Sequence, residues 1–251
     1  MKRQLNLFLH ALQFYSRIPT GKIDYSEENL TQSLRYFPLV GIIVGTVGAI
    51  AFMLSMLVFP KSVAVVAAII SMVAVTGALH EDGVSDFFDG FGGGYTKERI
   101  LEIMKDSHVG AYGVIALIFL FLGKFSLLFS IEIDQLPVVL IAAHASSRFM
   151  AVLLVKFSRY ARTEKSKSSH SRNPLSRTTF VTALILGILP LFLISWLIAI
   201  CAVIIYLIIF SAVKRYVEKK IGGFTGDILG TLQQLCEITF YATYIGVITY
   251  I

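Results

Sequence analysis

The chain has 251 residues, 56% of them hydrophobic and 15% charged, with a formal net charge of +6. Soluble domains carry about 25% charge, so this composition excludes an ordinary soluble domain and points to a single integral membrane domain over residues 1–251. The basic excess suits a lipid bilayer with cytoplasmic loops, and no aromatic–basic pattern for nucleic acid is present.

Leu5, Phe8, Leu9, Leu12 and Tyr15 recur at helical spacing and predict a short amphipathic helix lying at the membrane interface. Arg17 follows in Phe14-Tyr15-Ser16-Arg17-Ile18-Pro19 and reads either as a cytoplasmic anchor or as part of a site. Lys22–Ser33 is polar and reads as a loop. Phe37–Phe59 is a first span, with Pro38 in its first turn and a G-x-x-x-G at Gly41–Gly45 for close helix packing. Ser62–Leu79 is a second span that runs into an acidic segment.

That segment, Thr76–Gly113, holds Glu81, Asp82, Asp86, Asp89, Glu98, Glu102 and Asp106, seven of the chain's 16 carboxylates. Asp82, Asp86 and Asp89 stand at i, i+4 and i+7 and share a helix face. Like charges that close raise one another's pKa, and a hard cation such as Mg2+ relieves them while also binding substrate phosphates. Asp82, Asp86, Asp89 and Glu81 are therefore the candidate metal ligands, Glu81 alternatively the base, and Asp106 completes the set from the far side. The bland reading is an acidic helix start. The glycines at 77, 83, 90 and 92–94 argue against it, because they permit the close backbone approach of a ligand site. Thr96 is a candidate N-cap for a helix over Thr96–Lys105, where Arg99 and Lys105 either contact phosphate or neutralise carboxylates.

Val114–Ile131 is a third span, interrupted at Gly123-Lys124; Lys124 faces the bundle interior or a wet cavity. Leu136–Phe157 is a fourth, with Arg148 a functional candidate inside it and His144 a hydrogen-bonded core residue. Residues 158–178 form a basic loop containing Arg159, Arg162, Lys165, Lys167, Arg172 and Arg177. Thr179–Val213 is too long for one helix; two spans with a break near Ser195-Trp196 keep the basic loop at Lys214, Arg215, Lys219 and Lys220 on the same side as 158–178. Gly222–Gly230 is a glycine-rich turn opening a helix and suits an anion, with Thr225 in it and Asp227 reading as a helix cap, a metal ligand or a base. Leu229–Ile251 is the last span, with Glu237 facing inward. Cys201 and Cys236 read as core residues. The total is an all-α bundle of about seven transmembrane helices plus the N-terminal interfacial helix. Residues 81–112, 158–178 and 214–227 share one face, and glycine-rich helix faces leave room for a homo-oligomer.

Metal-ligating carboxylates, phosphate-binding cations and glycine turns on one face are the equipment of a membrane-embedded phosphotransferase. A cation transporter, reading Lys124, Arg148 and Glu237 as an ion path, is the competing class; no internal repeat of the acidic motif supports it. The D-G-x-x-D-x-x-D core distantly resembles CDP-alcohol phosphotransferases, without their further aspartates.

Three stretches together resemble the cobalamin synthase family: His80-Glu81-Asp82-Gly83 through Asp86 and Asp89-Gly90 with Arg99 through Asp106-Ser107 to Gly113; Gly222-Gly223-Phe224-Thr225-Gly226-Asp227; and the Arg17-Ile18-Pro19 run. The resemblance spans residues 5–237. It implies an inner-membrane, Mg2+-dependent enzyme with its active-site loops in the cytoplasm, joining adenosylcobinamide-GDP to α-ribazole or its 5′-phosphate with release of GMP. Arg17, Arg99, Lys105, Arg148, Arg162, Thr225 and Asp227 would then bind substrate. Two departures stand out: His108 replaces an arginine, and the run from Tyr160 to Lys165 lacks a glycine.

Overall fold

The computed structural model describes residues 2–162 and 175–250, and these are helical apart from turns and one isolated bridge. Lys165, Lys167 and Arg172 lie outside the described residues. The elements are α1 (Lys2–Tyr15), α2 (Glu27–Ser33), α3 (Phe37–Met56), α4 (Lys61–Thr76), α5 (Leu79–Gly93), α6 (Lys97–Ile103), α7 (Ala111–Ser130), α8 (Leu136–Phe157), α9 (Arg177–Ile188), α10 (Trp196–Ile221) and α11 (Gly226–Tyr250).

Helix α8 is the axis of the bundle: 89% of its apolar window is buried. Helices α3, α9 and α11 pack around it. The G-x-x-x-G of α3 makes this possible, since a β-carbon at Gly45 would stand 2.7 Å from the Ile141 backbone. Ser146 and Arg148 on α8 are buried, and the serine hydroxyl meets that of Tyr206 at 2.9 Å. Polar groups in such a core are costly unless paired.

Among the described residues, four helical runs are long and apolar enough to cross a membrane: Glu27–Met56, α7, α8 and α10. A fifth appears if α4 and α5, bent by 87° at their junction, are one broken span. This count does not reach the seven expected. Helix α11 has the length, but Gln233, Gln234 and Glu237 make it too polar, and α9 with its 3-10 extension to Leu193 is short.

Three local expectations are corrected. The second half of the Lys22–Ser33 loop is α2, because the Ser26 hydroxyl accepts from the Asn29 N–H and Glu27 and Glu28 favour the helix start. Gly123-Lys124 does not interrupt α7: Lys124 lies buried 2.6 Å from Glu237, so its charge is met without breaking the helix. The basic loop at 214–220 is helical. Lys219 and Lys220 occupy the last turn of α10, where cations suit the helix dipole, and Lys214 pairs with Glu218 at 2.8 Å. The break expected near Ser195-Trp196 is present, with the Ser195 side chain capping α10.

Candidate active site

The site is built around the bend between α4 and α5. Gly77 (φ 66°) and Ala78 (φ 59°) are both left-handed. Glycine adopts this conformation freely, whereas alanine does so at a cost of about 1–3 kcal/mol that the surroundings must hold in place. Part of that hold is the Arg17 N–H, which donates to the Val75 carbonyl at 2.7 Å. The Arg17 side chain lies against Gly77, where a β-carbon would collide with it. If α4 follows the bilayer normal, α5 runs along the bilayer plane and presents its carboxylates at one depth.

Helix α5 crosses the start of α11 closely. A β-carbon at Gly83 would lie 2.8 Å from the Asp227 carbonyl oxygen, and the Thr231 hydroxyl donates to the Gly83 carbonyl at 2.9 Å. This crossing brings Asp227, far away in sequence, beside Asp82 and Asp86. The glycine turn before α11 is fixed from the other side. Phe224 N–H donates to the Arg159 carbonyl and Ala161 N–H to the Phe224 carbonyl, each at 2.8 Å. Gly223 allows that pairing because any side chain there would strike the Arg159 carbonyl. The paired strips deliver Arg162 and Thr225 to one carboxylate: both donate to Asp227 Oδ2 at 3.1 Å.

The electrostatics follow from this crowding. Burial pushes the Asp86 carboxyl up to about 7, helped by Asp227, Asp82 and Asp89 and opposed by Arg162. Asp227 is also raised, chiefly by burial, with Arg162 and Thr225 pulling the other way. Among the described residues no three His, Cys, Asp or Glu side chains are drawn together tightly enough to hold a metal ion as they stand. The donor chemistry nonetheless suits a hard divalent cation: Asp82, Asp86 and Asp227 are carboxylates that repel one another, with one guanidinium among them.

The remaining sequence candidates are dispersed. Asp89 is buried, and its two oxygens accept from the N–H groups of Gly110 (2.7 Å) and Gly113 (2.9 Å), so it caps the start of α7. Side chains at Gly110 and Gly113 would strike that carboxylate. Glu81 points inward instead: Gln234 donates to its Oε1 at 2.9 Å, and Oε2 is buried without a partner among the described residues. It shares a small internal void with Arg148, His144 and Lys124. Arg148 is 1% exposed and donates to His144, so the structure does not bring it to the Asp82–Asp86 face. Asp106 is exposed and held below the usual carboxylate range by hydrogen bonds from His108. Arg99 is exposed and pairs with Glu102 at 2.8 Å, and Lys105 is exposed nearby. Thr96 caps α6 as expected. Most glycines that read as ligand features are thus packing contacts between helices.

One feature was not legible in the sequence. A cavity of about 150 Å3 adjoins Asp82 and Asp227, walled by aromatic residues from α1, α3, the Tyr160 strip and the glycine turn. Its residues are scattered from Phe14 to Gly230 and follow no local period, so only the fold assembles them.

A sequence profile described as cobalamin-5-phosphate synthase matches residues 7–245. The chain belongs to that family. It is 42% identical to the adenosylcobinamide-GDP ribazoletransferase of Vibrio parahaemolyticus, covering 98% of this chain and 94% of the relative. Relatives of the same name in Shewanella amazonensis (41%; 96% and 95% covered) and Vibrio cholerae (38%; 96% and 94%) agree. No solved structure matches. Family membership makes the chain a transferase and sets aside the transporter reading. Lys124 and Glu237 pair with each other inside the bundle.

Proposed function

We propose that this protein is an adenosylcobinamide-GDP ribazoletransferase acting in cobalamin synthesis at the cytoplasmic membrane, with its active site formed by Asp82, Asp86, Asp227 and Arg162. The observation that carries this reading is the α5–α11 crossing, which sets Asp227 and its Arg162 partner beside the α5 carboxylates, in a chain of this family. A hydroxyl oxygen of ribazole attacks the cobinamide-side phosphorus of the diphosphate. The new P–O bond forms as the bond to the GMP oxygen breaks, and GMP leaves.

Asp82, Asp86 and Asp227 would hold Mg2+, which supplies charge neutralisation on the diphosphate. Arg162, half-buried between the Met104 carbonyl and Asp227, faces the same place and offers a fixed guanidinium to phosphate oxygens. Arg17, at the bend, and Lys97, near Gly222, add cations at the rim. The hydroxyl proton passes to a carboxylate of the group. The family's description names a phosphorylated product, which favours the 5′-phosphate of ribazole as acceptor. The basic residues of 159–162 and the end of α10 favour a cytoplasmic orientation for this face.

The test is incubation of purified protein in lipid nanodiscs with adenosylcobinamide-GDP and ribazole 5′-phosphate, with Mg2+ or with EDTA, and identification of both products by mass spectrometry. Stoichiometric GMP and cobalamin phosphate, formed only with the metal, are expected. Absence of GMP from folded protein would overturn the assignment.

A further inference from the structure

Beside the carboxylates lies the cavity of about 150 Å3. Phe14, Tyr15, Phe37, His80, Tyr160 and Phe224 supply its rings. An apolar cavity of about this size accommodates one benzene ring, so a fused bicyclic base seats one of its two rings here. Flat rings stacked on aromatic walls gain more than aliphatic fillers of the same area. Asp82 and Asp227 also stand in the wall, so whatever enters is held directly against the reacting group.

His80 stands between this cavity and the internal void that holds Glu81, His144 and Arg148, since it lines both. It is 3% exposed, its ring lies nearly parallel to that of Phe37 (centroids 5.9 Å apart, 9° between planes), and neither ring nitrogen has a partner among the described residues. A buried polar group without a partner is costly. Both nitrogens are shut off from the cavity, so the imidazole offers it ring surface and no hydrogen bond.

We infer that this cavity is the seat of the acceptor's aromatic base, stacked among Phe37, Phe224 and His80. This rests on the transferase reading above, and it names which of the reaction's ring systems belongs here. Guanine presents several hydrogen-bonding groups on its edges, yet among the described residues the only charged or amide side chains in the wall are Asp82 and Asp227. The benzimidazole-type base of ribazole has an almost wholly apolar outline, and it matches the aromatic and aliphatic lining. Seating it also directs the attached ribose toward Asp82 and Asp227, where its hydroxyl meets the diphosphate. The cavity therefore selects the acceptor and aims it.

The experiment uses GMP release by the full-length protein, with each substrate varied in turn and free benzimidazole as a probe inhibitor. In the wild type, benzimidazole should compete with ribazole phosphate and not with adenosylcobinamide-GDP. Leu229, another wall residue, is replaced in Leu229→Trp, which places an indole in the cavity. Its KM for ribazole phosphate should rise about tenfold or more, the worth of one lost stacked base. Its KM for adenosylcobinamide-GDP should stay within about twofold, and benzimidazole inhibition should vanish. Leu229→Met serves as the volume-conserving control. If Leu229→Trp does not fold, the wild-type inhibition pattern decides. Competition against adenosylcobinamide-GDP, no inhibition up to the solubility limit, or an unchanged KM for ribazole phosphate in folded Leu229→Trp would overturn the inference while leaving the transferase reading intact. No GMP release from the wild type would overturn both.

Discussion

Asp89 and Asp86 sit three residues apart on one helix, but the structure gives them opposite energetic roles. Asp89→Ala removes an acceptor from two N–H groups at the start of α7, at 2.7 and 2.9 Å, one of them buried. Hydrogen bonds to a charged group contribute about 1.5–3 kcal/mol each. Removing the Asp89 charge also relieves repulsion on Asp86, which offsets part of the loss. The expected net destabilisation is about 2–4 kcal/mol, toward or above the upper end for helix N-caps. Asp86→Ala should cost less than about 1 kcal/mol or even stabilise, because burial and three neighbouring carboxylates oppose its charge and no hydrogen bond to it is seen among the described residues. Unfolding in mixed detergent micelles, followed by labelling of the buried Cys236 thiol in a Cys201→Ser background, reads both. Equal effects of the two substitutions, or an Asp89→Ala protein as stable as the wild type, would refute this division.

Three further outcomes are expected. Gly83→Ala places a methyl 2.8 Å from the Asp227 carbonyl oxygen, so α5 and α11 must part; a stability loss of about 1–3 kcal/mol should accompany a far larger loss of GMP release, measured per folded molecule. Lys124→Met strands Glu237 and should cost about 3–5 kcal/mol, and the double variant Lys124→Met/Glu237→Gln, which keeps an acceptor for Gln233 and lets the Tyr241 hydroxyl turn to accept from the new amide, should recover at least half of it by the same unfolding assay. Because the Asp86 carboxyl is raised from 3.8 to about 7, its contribution to stability is complete below its unfolded value and is lost as pH rises through about 7. Without divalent cations the melting temperature should therefore fall between pH 5.5 and 7.5 more in the wild type than in Asp86→Asn. Mg2+ should raise it more at pH 7.5 than at 5.5, and equal gains at both would contradict a cation among these carboxylates.

The helical class and most elements were legible because apolar length and turn residues are local signals. The span count was not. A helix such as α11 reads as a span by its length and apolar ends, whereas Gln233, Gln234 and Glu237 serve an internal polar network that lowers its hydropathy. The α5 carboxylates were visible through their spacing, but spacing cannot say which way each side chain turns. Asp89 rotates onto the α7 N-terminus and Glu81 into the core, while Asp82 and Asp86 remain at the α11 crossing. Asp227 could not be joined to them from the sequence, because its spatial neighbours Asp82 and Gly83 are about 140 residues distant. The Gly83–Asp227 contact, a tertiary event, brings it to the centre.

The most direct test of this account compares GMP release, normalised to folded protein, across five substitutions: Asp82→Asn, Asp86→Asn, Asp227→Asn, Asp89→Asn and Asp106→Asn. The first three should lose about a thousandfold or more, on the scale of removing a group that acts on the transition state. The last two should stay within about tenfold of the wild type, with Asp89→Asn losing stability instead. Full activity in Asp227→Asn, or loss in Asp106→Asn equal to that in Asp86→Asn, would contradict an active site centred on the α5–α11 crossing.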